Sequence, residues 1–445
     1  MFYSNTLKAL LFYTTTAGDE FVEGFIRNSN IQAYTMPTTT LNRVFRSNLG
    51  LSGKNILSLI ILVSGGLIWF FISSTVLGRI ASSSSYYENL SILIIIAVAT
   101  ATAALIGAFF PRGSANLRFL KIWMASGAVA SIIPLAIDMG NFFGVAIVAF
   151  LWGATLGFGM PASMEYLTES TAVENRGRVS AIVFFATFGG IFISAMILEP
   201  LDYQTQLGTL GALRLVGLVV FILLDPAKIS VVKKASSYLT IIRKRSFFLY
   251  FSAWIMFSLV NYVSVPILNS HFGESFANAS ATIEAVITAV FALVGGVLCD
   301  TVGRKVVVIS GFIMLGLGYA VLGIFPLSFM GWIFYTAADG IALGMLGVVF
   351  FMTLWGDLAH EDSSKKYYAL GSLPLLFSNL LQKIVAPDLA ALVSVTAVFS
   401  LASSFLFLAI LPLLYAPETL PEKKIKEREL KEYLKKAREM KGKRG

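Results

Sequence analysis

Apolar residues fall in twelve runs along the chain, with shorter polar or charged segments between them. A bilayer's hydrocarbon core is about 30 Å thick and takes about 20 residues of α-helix to cross, which is close to the length of each run. Lipid offers no partner to backbone N–H and C=O groups, so each crossing segment must pair them internally, as a helix does. The pattern predicts an all-α membrane protein with twelve transmembrane helices. The runs lie at 55–77, 90–110, 118–138, 142–163, 179–199, 206–224, 248–269, 279–299, 306–326, 330–356, 367–387 and 390–415.

The longest break between two runs lies in the middle of the chain. Residues 225–247 are rich in Lys and Arg and separate two groups of six runs. We therefore expect two six-helix bundles, at 55–224 and 248–415, joined by a cytoplasmic linker. Residues 1–54 are predicted to be a cytoplasmic extension that lies partly on the membrane, and residues 416–445 a basic cytoplasmic tail.

Basic residues are divided unequally between the two sides that twelve crossings would create. The side that holds both termini carries all but three of the 34 Lys and Arg residues. The exceptions are Arg79 and Lys383 in opposite loops and Arg214 inside the sixth run. Because loops rich in Lys and Arg stay in the cytoplasm, the sequence predicts that both termini are cytoplasmic.

Composition excludes several other classes of protein. Apolar residues make up 56% of the chain and charged residues 13%, whereas a soluble domain is about 25% charged. The single cysteine, Cys299, rules out an internal disulfide, and two histidines are too few for a thiolate–imidazole metal centre. We expect no metal and no cofactor, and the sequence has no G-x-x-x-x-G-K-[ST] motif for binding ATP.

The net charge is +9. The basic residues are distributed as membrane sidedness requires and do not form a surface for nucleic acid. From Glu422 onward the tail has eleven basic and five acidic residues. Such a tail either contacts anionic lipid head groups or stays solvated and only fixes topology. Aromatic residues are not interleaved with these charges, so we expect no nucleic-acid partner.

The sharpest local motif follows the eighth run and reads G-x-x-x-D-x-x-G-R-K. Gly296 permits close approach of a neighbouring helix, and Asp300 can face the N-terminus of another helix. Gly303 suits a tight turn. Arg304 and Lys305 can pair with carboxylates at adjacent helix ends.

This motif, the twelve runs and the central break resemble the major facilitator superfamily over residues 55–421. Glu169, Arg176 and Gly177 are similar to the family's E-x6-R-G after the fourth helix, and residues 417–419 read P-E-T, as after the last helix of sugar-porter-like members. The resemblance implies two pseudo-symmetric bundles around a central cavity lined by the first, fourth, seventh and tenth helices.

Four departures from the family pattern limit what the resemblance implies. Pro111 stands where the first half would carry the motif aspartate, and Gly153 stands where the fourth helix carries an arginine. The fifth run lacks the Gly-Pro pair of antiporters, and the seventh lacks the Gln-rich stretch of sugar porters. The sequence therefore supports neither proton antiport nor a sugar substrate.

Asp339, Arg214 and Glu284 are ionisable residues inside the runs, where a charge is costly and usually functional. Asp339 is predicted to bind solute or a coupling proton, the alternative being a structural cap in a Gly-kinked helix. Arg214 could face an anionic solute, snorkel or pair with a carboxylate, and we favour pairing. Glu284 could relay protons or lie at a water-exposed rim. The other candidates for solute contact are polar or aromatic residues of the predicted cavity-lining helices: Asn261, Tyr262, Tyr335 and Trp152.

Charged residues at the cytoplasmic helix ends predict a gate. Arg304 could pair with Asp357 or Glu361, and Arg112 with Glu165 or Glu169. Ion pairs of this kind contribute about 0–1 kcal/mol when exposed, which suits two conformations of comparable population.

Taken with the resemblance, these features predict a secondary transporter that moves a small organic solute by alternating access, with proton-coupled uptake. We expect a monomer in the plasma membrane whose partners are its solute, protons and lipids. The alternatives are efflux of small organic compounds, a non-transporting sensor, or a membrane enzyme on the same fold.

Overall fold

A computed structural model describes residues 51–81, 85–110, 115–198, 200–226, 233–260, 264–360, 362–392, 394–421 and 430. The described residues belong to one compact unit, Leu49–Gly445. They are mostly helical, and their β-type pairing is an isolated bridge between Lys234 and Asp362. Most of the predicted N-terminal extension and basic tail lies outside the described residues.

Twelve helices of the described chain cross the unit, as the hydropathy pattern predicts. They are α1 (Gly53–Ala81), α2 (Tyr86–Gly107), α3 (Ala115–Ile132), α4 (Phe142–Ser170), α5 (Arg176–Leu198), α6 (Tyr203–Leu223), α7 (Arg245–Val260 and Ser264–Phe272), α8 (Glu274–Thr301), α9 (Arg304–Ile324), α10 (Phe329–Ala359), α11 (Lys365–Leu392) and α12 (Val395–Tyr415).

Ten of these helices are long and apolar enough to cross a membrane on their own, within the described residues. The two others have identifiable reasons to fall short. The described part of α7 is divided into two pieces, and α11 contains Asn379, Gln382 and Lys383, which lower its hydropathy.

Helix ends differ from the predicted runs because capping groups, rather than hydropathy, set them. α2 begins four residues before its run because Ser85 and Glu88 form a capping box with reciprocal hydrogen bonds. The last two runs were predicted to meet near 387–390, whereas α11 continues to Leu392. Ser394 then caps α12 by accepting the Ala397 N–H at 3.3 Å.

Equivalent helices of the two halves pack in the same way. In the N-terminal half (α1–α6), Gly157 brings α4 so close to α2 that a Cβ would lie 2.2 Å from the Thr100 carbonyl oxygen. In the C-terminal half (α7–α12), Gly344 brings α10 as close to α8, with a Cβ 2.6 Å from the Thr288 oxygen. Glycine at these points allows backbone-to-backbone contact, and the repetition fits two pseudo-symmetric bundles.

Between the halves, the described linker residues contact both bundles. Tyr238, in a short linker helix, donates its hydroxyl to the Leu105 carbonyl at 2.6 Å. Lys244 donates to Asp362 at 2.7 Å. Burial alone would raise the pKa of Asp362, but hydrogen bonds from Lys244 and Ser236, together with the Lys244 charge, lower this pKa below its usual value. The linker is thus bonded to both bundles at the same face.

Candidate functional site

Five charged side chains alternate in sign where α5 begins, α8 ends and α10 ends. Arg178 contacts Asp300 at 3.2 Å, Asp300 contacts Arg304 at 3.3 Å, and Arg304 contacts Asp357 at 3.0 Å. Asp357 then accepts from Arg176. We call this set the ion chain and the end of the molecule that holds it the motif face. Both arginines at its ends belong to α5 in the N-terminal half, and the three central residues belong to the C-terminal half.

The ion chain is almost entirely out of solvent. The side chains of Arg304 and Asp357 are 0% exposed, and that of Asp300 is 2% exposed. Removing one member of such a buried pair costs about 3–5 kcal/mol, since the other charge is left without a partner. The chain is therefore far more sensitive to mutation than the exposed pairs that the sequence suggested.

Asp300 also closes the first turn of α5. Its carboxylate accepts the backbone N–H groups of Gly177 and Arg178, each at 2.9 Å. These are unpaired donors at a helix N-terminus, where the helix dipole favours a negative charge. The arrangement matches the prediction that Asp300 faces a neighbouring helix end.

Two glycines allow α5 and α8 to touch at this point. A Cβ on Gly177 would lie 2.6 Å from an Asp300 carboxylate oxygen, and one on Gly296 would lie 2.5 Å from the Gly177 carbonyl oxygen. Cys299 is buried beside them, with its Cβ 2.8 Å from the position that a Gly177 side chain would take. The helices contact each other here through their backbones.

The turn from α8 to α9 is held by a residue to which the sequence assigned no role. Gly303 adopts φ 122°, a conformation that favours glycine. Glu418, which follows α12, accepts the backbone N–H groups of Arg304 at 2.9 Å and Lys305 at 3.1 Å. Lys305 itself donates its ammonium to the Leu414 carbonyl at 2.6 Å. The only sequence signal for Glu418 was its place in P-E-T.

Other side chains join the halves around the ion chain. Glu165 forms an ion pair with Lys365 at 3.1 Å, and Glu169 forms one with Lys233 of the linker at 2.8 Å. Thr168 and Tyr368 share a hydrogen bond of 3.0 Å. The predicted gate residues Arg112 and Glu361 lie outside the described residues, so their pairing stays a prediction.

Asp339 lies in a buried polar cluster in the C-terminal half. Its carboxylate accepts the Tyr335 hydroxyl at 2.7 Å, and that hydroxyl also contacts Ser264 at 2.9 Å and Tyr319 at 3.2 Å. No Lys or Arg among the described residues pairs with Asp339. The sequence had singled out Asp339 and Tyr335, but Ser264 and Tyr319 belong to distant segments, on α7 and α9, that only the fold brings together.

Of the remaining solute candidates, Glu284 lies near Asp339 and Trp152 lies in the other half of the protein. Glu284 is half-buried on α8, where its carbonyl packs against Gly340, next to Asp339. Trp152 is fully buried and donates its indole N–H to the Ala130 carbonyl at 2.8 Å, so its only polar hydrogen takes part in packing of α4 on α3. Asn261 and Tyr262 lie outside the described residues.

The surroundings of Arg214 differ from the prediction that it pairs with a carboxylate. It is 4% exposed, and no group among the described residues accepts a hydrogen bond from its Nε, Nη1 or Nη2. Its guanidinium carbon lies 4.7 Å from the ring centre of Trp123 and 5.8 Å from that of Trp69. The favoured structural pairing is therefore wrong for the described chain, because the guanidinium is surrounded by aromatic rings and glycines rather than by carboxylates.

Comparison with solved structures identifies the fold. The human organic anion transporter MFSD10 aligns with a TM-score of 0.61 at 13% identity, covering 82% of this chain and 100% of its own. The proton:xylose symporter XylE, bound to 6-bromo-6-deoxy-D-glucose, aligns at 0.62 and 15% identity, covering 83% and 98%. FucP in the outward conformation aligns at 0.64 and 11% identity, covering 82% and 99%.

Sequence comparison agrees with the fold. No curated protein matches the chain significantly. Residues 246–444 match the sequence model of the Major Facilitator Superfamily, and both halves of the described chain have the helix arrangement of its solved members. The described chain therefore has the fold of the major facilitator superfamily, and its C-terminal part also matches the family in sequence.

Proposed function

We propose that this protein is a secondary transporter that takes up a small organic solute together with protons by alternating access. The observation that carries the proposal is the ion chain, which joins the two six-helix bundles at one face through buried, separable contacts. We propose bundles 55–224 and 248–415 as the moving bodies of a monomer in the plasma membrane, without enzymatic activity.

The distribution of charge supports a cytoplasmic motif face. All but three Lys and Arg residues lie on that side of the predicted topology, as expected for loops that stay inside. With the ion chain formed, α5 of the N-terminal half is joined to α8 and α10 of the C-terminal half at this face, and the proposed state is closed to the cytoplasm. FucP, whose fold is similar, is in the outward conformation.

Asp339 supports proton coupling. A buried carboxylate is costly unless a proton, a cation or a solute balances its charge, and no described basic side chain does so. Its hydroxyl partner Tyr335 connects it to α7 and α9. Movement of these helices would therefore change the surroundings of the carboxylate.

The proposal is tested with purified protein in liposomes that contain a pH-sensitive dye. Solutes are added one at a time, starting with xylose and benzoate as a neutral and an anionic probe and extending to a wider set of small metabolites. Inward proton movement driven by a solute supports uptake by symport. Solute-driven proton movement in the opposite direction indicates efflux, and saturable binding without flux of solute indicates a sensor; either result contradicts the proposal.

Replacing Asp339 by Asn is expected to abolish solute-driven proton movement, because the amide cannot take up a proton. Solute exchange across the membrane without a pH gradient should persist within about threefold of wild type if the amide keeps its hydrogen bond to Tyr335. Asp202→Asn, at the exposed start of α6, is the control and should change neither rate. Unaltered proton coupling in Asp339→Asn would remove this residue from the mechanism.

Replacing Asp300 by Asn or Arg304 by Ala is expected to lower transport per molecule at the surface by about tenfold or more, since each breaks a buried pair. Surface expression should fall much less. Both quantities are measured on the same cells by solute uptake and surface biotinylation. Normal turnover with low expression would instead assign these residues to folding.

A further inference from the structure

The guanidinium of Arg214 is a buried cation, and no group of the described chain accepts a hydrogen bond from it. It lies in the middle of α6, about 16 Å from the start of the helix and about 14 Å from its end at 1.5 Å per residue. At that depth an unpaired charge is costly. Its stacking on Trp123 and Trp69 offsets part of the cost but leaves its N–H donors unused.

Glycines make room for this cation between α1 and α3. A Cβ on Gly65 would lie 3.6 Å from Nη1, one on Gly66 would lie 3.6 Å from Nη2, and one on Gly127 would lie 2.8 Å from Nε. Glycines of two helices, α1 and α3, thus face the guanidinium. Its nitrogens are shielded from water, so a ligand would reach them through the cavity that the side chain lines.

Arg214 lines a cavity of about 200 Å³ between α1, α3, α5 and α6. The cavity reaches the outer surface of the N-terminal half at Leu213, which is 53% exposed. Its other walls are almost entirely apolar or small: Ile61, Ile68, Met124, Ser194, Leu210 and Gly217. A ligand that fills it therefore meets a cation at the inner end and hydrocarbon on the remaining sides.

We propose that this cavity binds the anionic head group of an amphiphile that enters from the lipid-facing surface. A carboxylate or phosphate would satisfy the N–H donors of Arg214 in a charge-assisted, two-pronged contact, and an apolar chain would extend past Leu213 into the bilayer. The site is separate from Asp339 on α10 and does not depend on the proposed transport function.

Photolabelling tests the proposal. Wild-type protein in phosphatidylcholine nanodiscs is illuminated with a diazirine-bearing fatty acid, and labelled peptides are identified by mass spectrometry. We expect label on α1 and α6 near Arg214, removed by excess unlabelled fatty acid. The methyl ester of the same probe lacks the charge, and its labelling of these peptides should be lower by about tenfold or more.

Two variants separate the contribution of the Arg214 charge from that of the cavity volume. Arg214→Gln removes the charge, and Gly217→Leu fills the cavity, so both should lose about tenfold or more of the labelling. Arg214→Lys should retain part of it. Gly208→Leu on the same helix, where a Cβ meets nothing within 4 Å, is the matched control and should label as wild type.

A diazirine-bearing phosphatidylglycerol distinguishes the source of the anion. Labelling that depends on Arg214 with this probe identifies a membrane phospholipid as the ligand, and labelling with the fatty acid alone identifies a free carboxylate; both support the proposed site. Equal labelling by the methyl ester, or full labelling of a folded Gly217→Leu protein, would overturn it. Because Gly217→Leu keeps the charge, it decides the question even where Arg214→Gln does not fold.

Discussion

Replacing Asp357 by Asn is expected to open the motif face and to lower transport by about tenfold or more. With the carboxylate gone, Arg176 loses its counter-charge and faces Arg304 across the halves, while Arg304 keeps its contact with Asp300. Leaving a buried charge unpaired costs about 3–5 kcal/mol, and separation of the halves relieves the repulsion by returning Arg176 to water. Since about 1.4 kcal/mol changes a population ratio tenfold, the closed state should become the minor one.

Cys299 provides a direct measurement of this change. It is the only cysteine of the sequence, it is buried, and it lies against the first turn of α5. A thiol-reactive maleimide should therefore label Asp357→Asn about tenfold or more faster than wild type. Asp202→Asn serves again as control. Lost transport with wild-type labelling of Cys299 would show that Asp357 acts in some way other than holding the halves together.

Replacing Gly296 by Ala is expected to have a comparable effect without any change of charge. The added methyl group would lie 2.3 Å from the Ala181 side chain and 2.5 Å from the Gly177 carbonyl oxygen. Neither neighbour is the flexible end of a long side chain, so α5 and α8 must move apart. We expect faster labelling of Cys299 and transport reduced about tenfold, because the closed state is needed once in every cycle.

Gly189→Ala is the matched control, because a Cβ at Gly189 meets nothing within 4 Å. Alanine also favours helix over glycine, so this variant should be as stable as wild type or more so, with normal transport. Melting temperatures of both variants in detergent distinguish a local opening between the halves from general unfolding. If Gly296→Ala transported normally, close contact of α5 and α8 would not be required for the cycle.

Much of the fold could be predicted from the sequence because lipid imposes a simple rule on length and polarity. The runs indicated all twelve crossings, including α11, whose polar residues lower its hydropathy. The motif at 296–305 indicated both the tight turn at Gly303 and a role for Asp300 at a neighbouring helix end. These features are local, since each depends on one continuous stretch of the sequence.

What the sequence could not supply is which helix faces meet. Arg176 and Asp357 are 181 residues apart, and no periodicity indicates that the start of α5 reaches the end of α10. The same limit applies to Glu418 beneath α9 and to Ser264 and Tyr319 beside Tyr335. For Arg214 the general rule that buried charges are paired gave the wrong expectation, because aromatic rings and open space replaced the carboxylate.

The ion chain begins and ends on the same turn of α5, at Arg178 and Arg176. Ion pairs that lie one after another along an interface can break one at a time. In the ion chain, both outer arginines are carried by one rigid segment of α5, so their pairs with the C-terminal half must break together. Separation of the bundles should therefore be concerted, with no long-lived half-open intermediate. Single-molecule distance records across the motif face would then show two levels and abrupt steps between them.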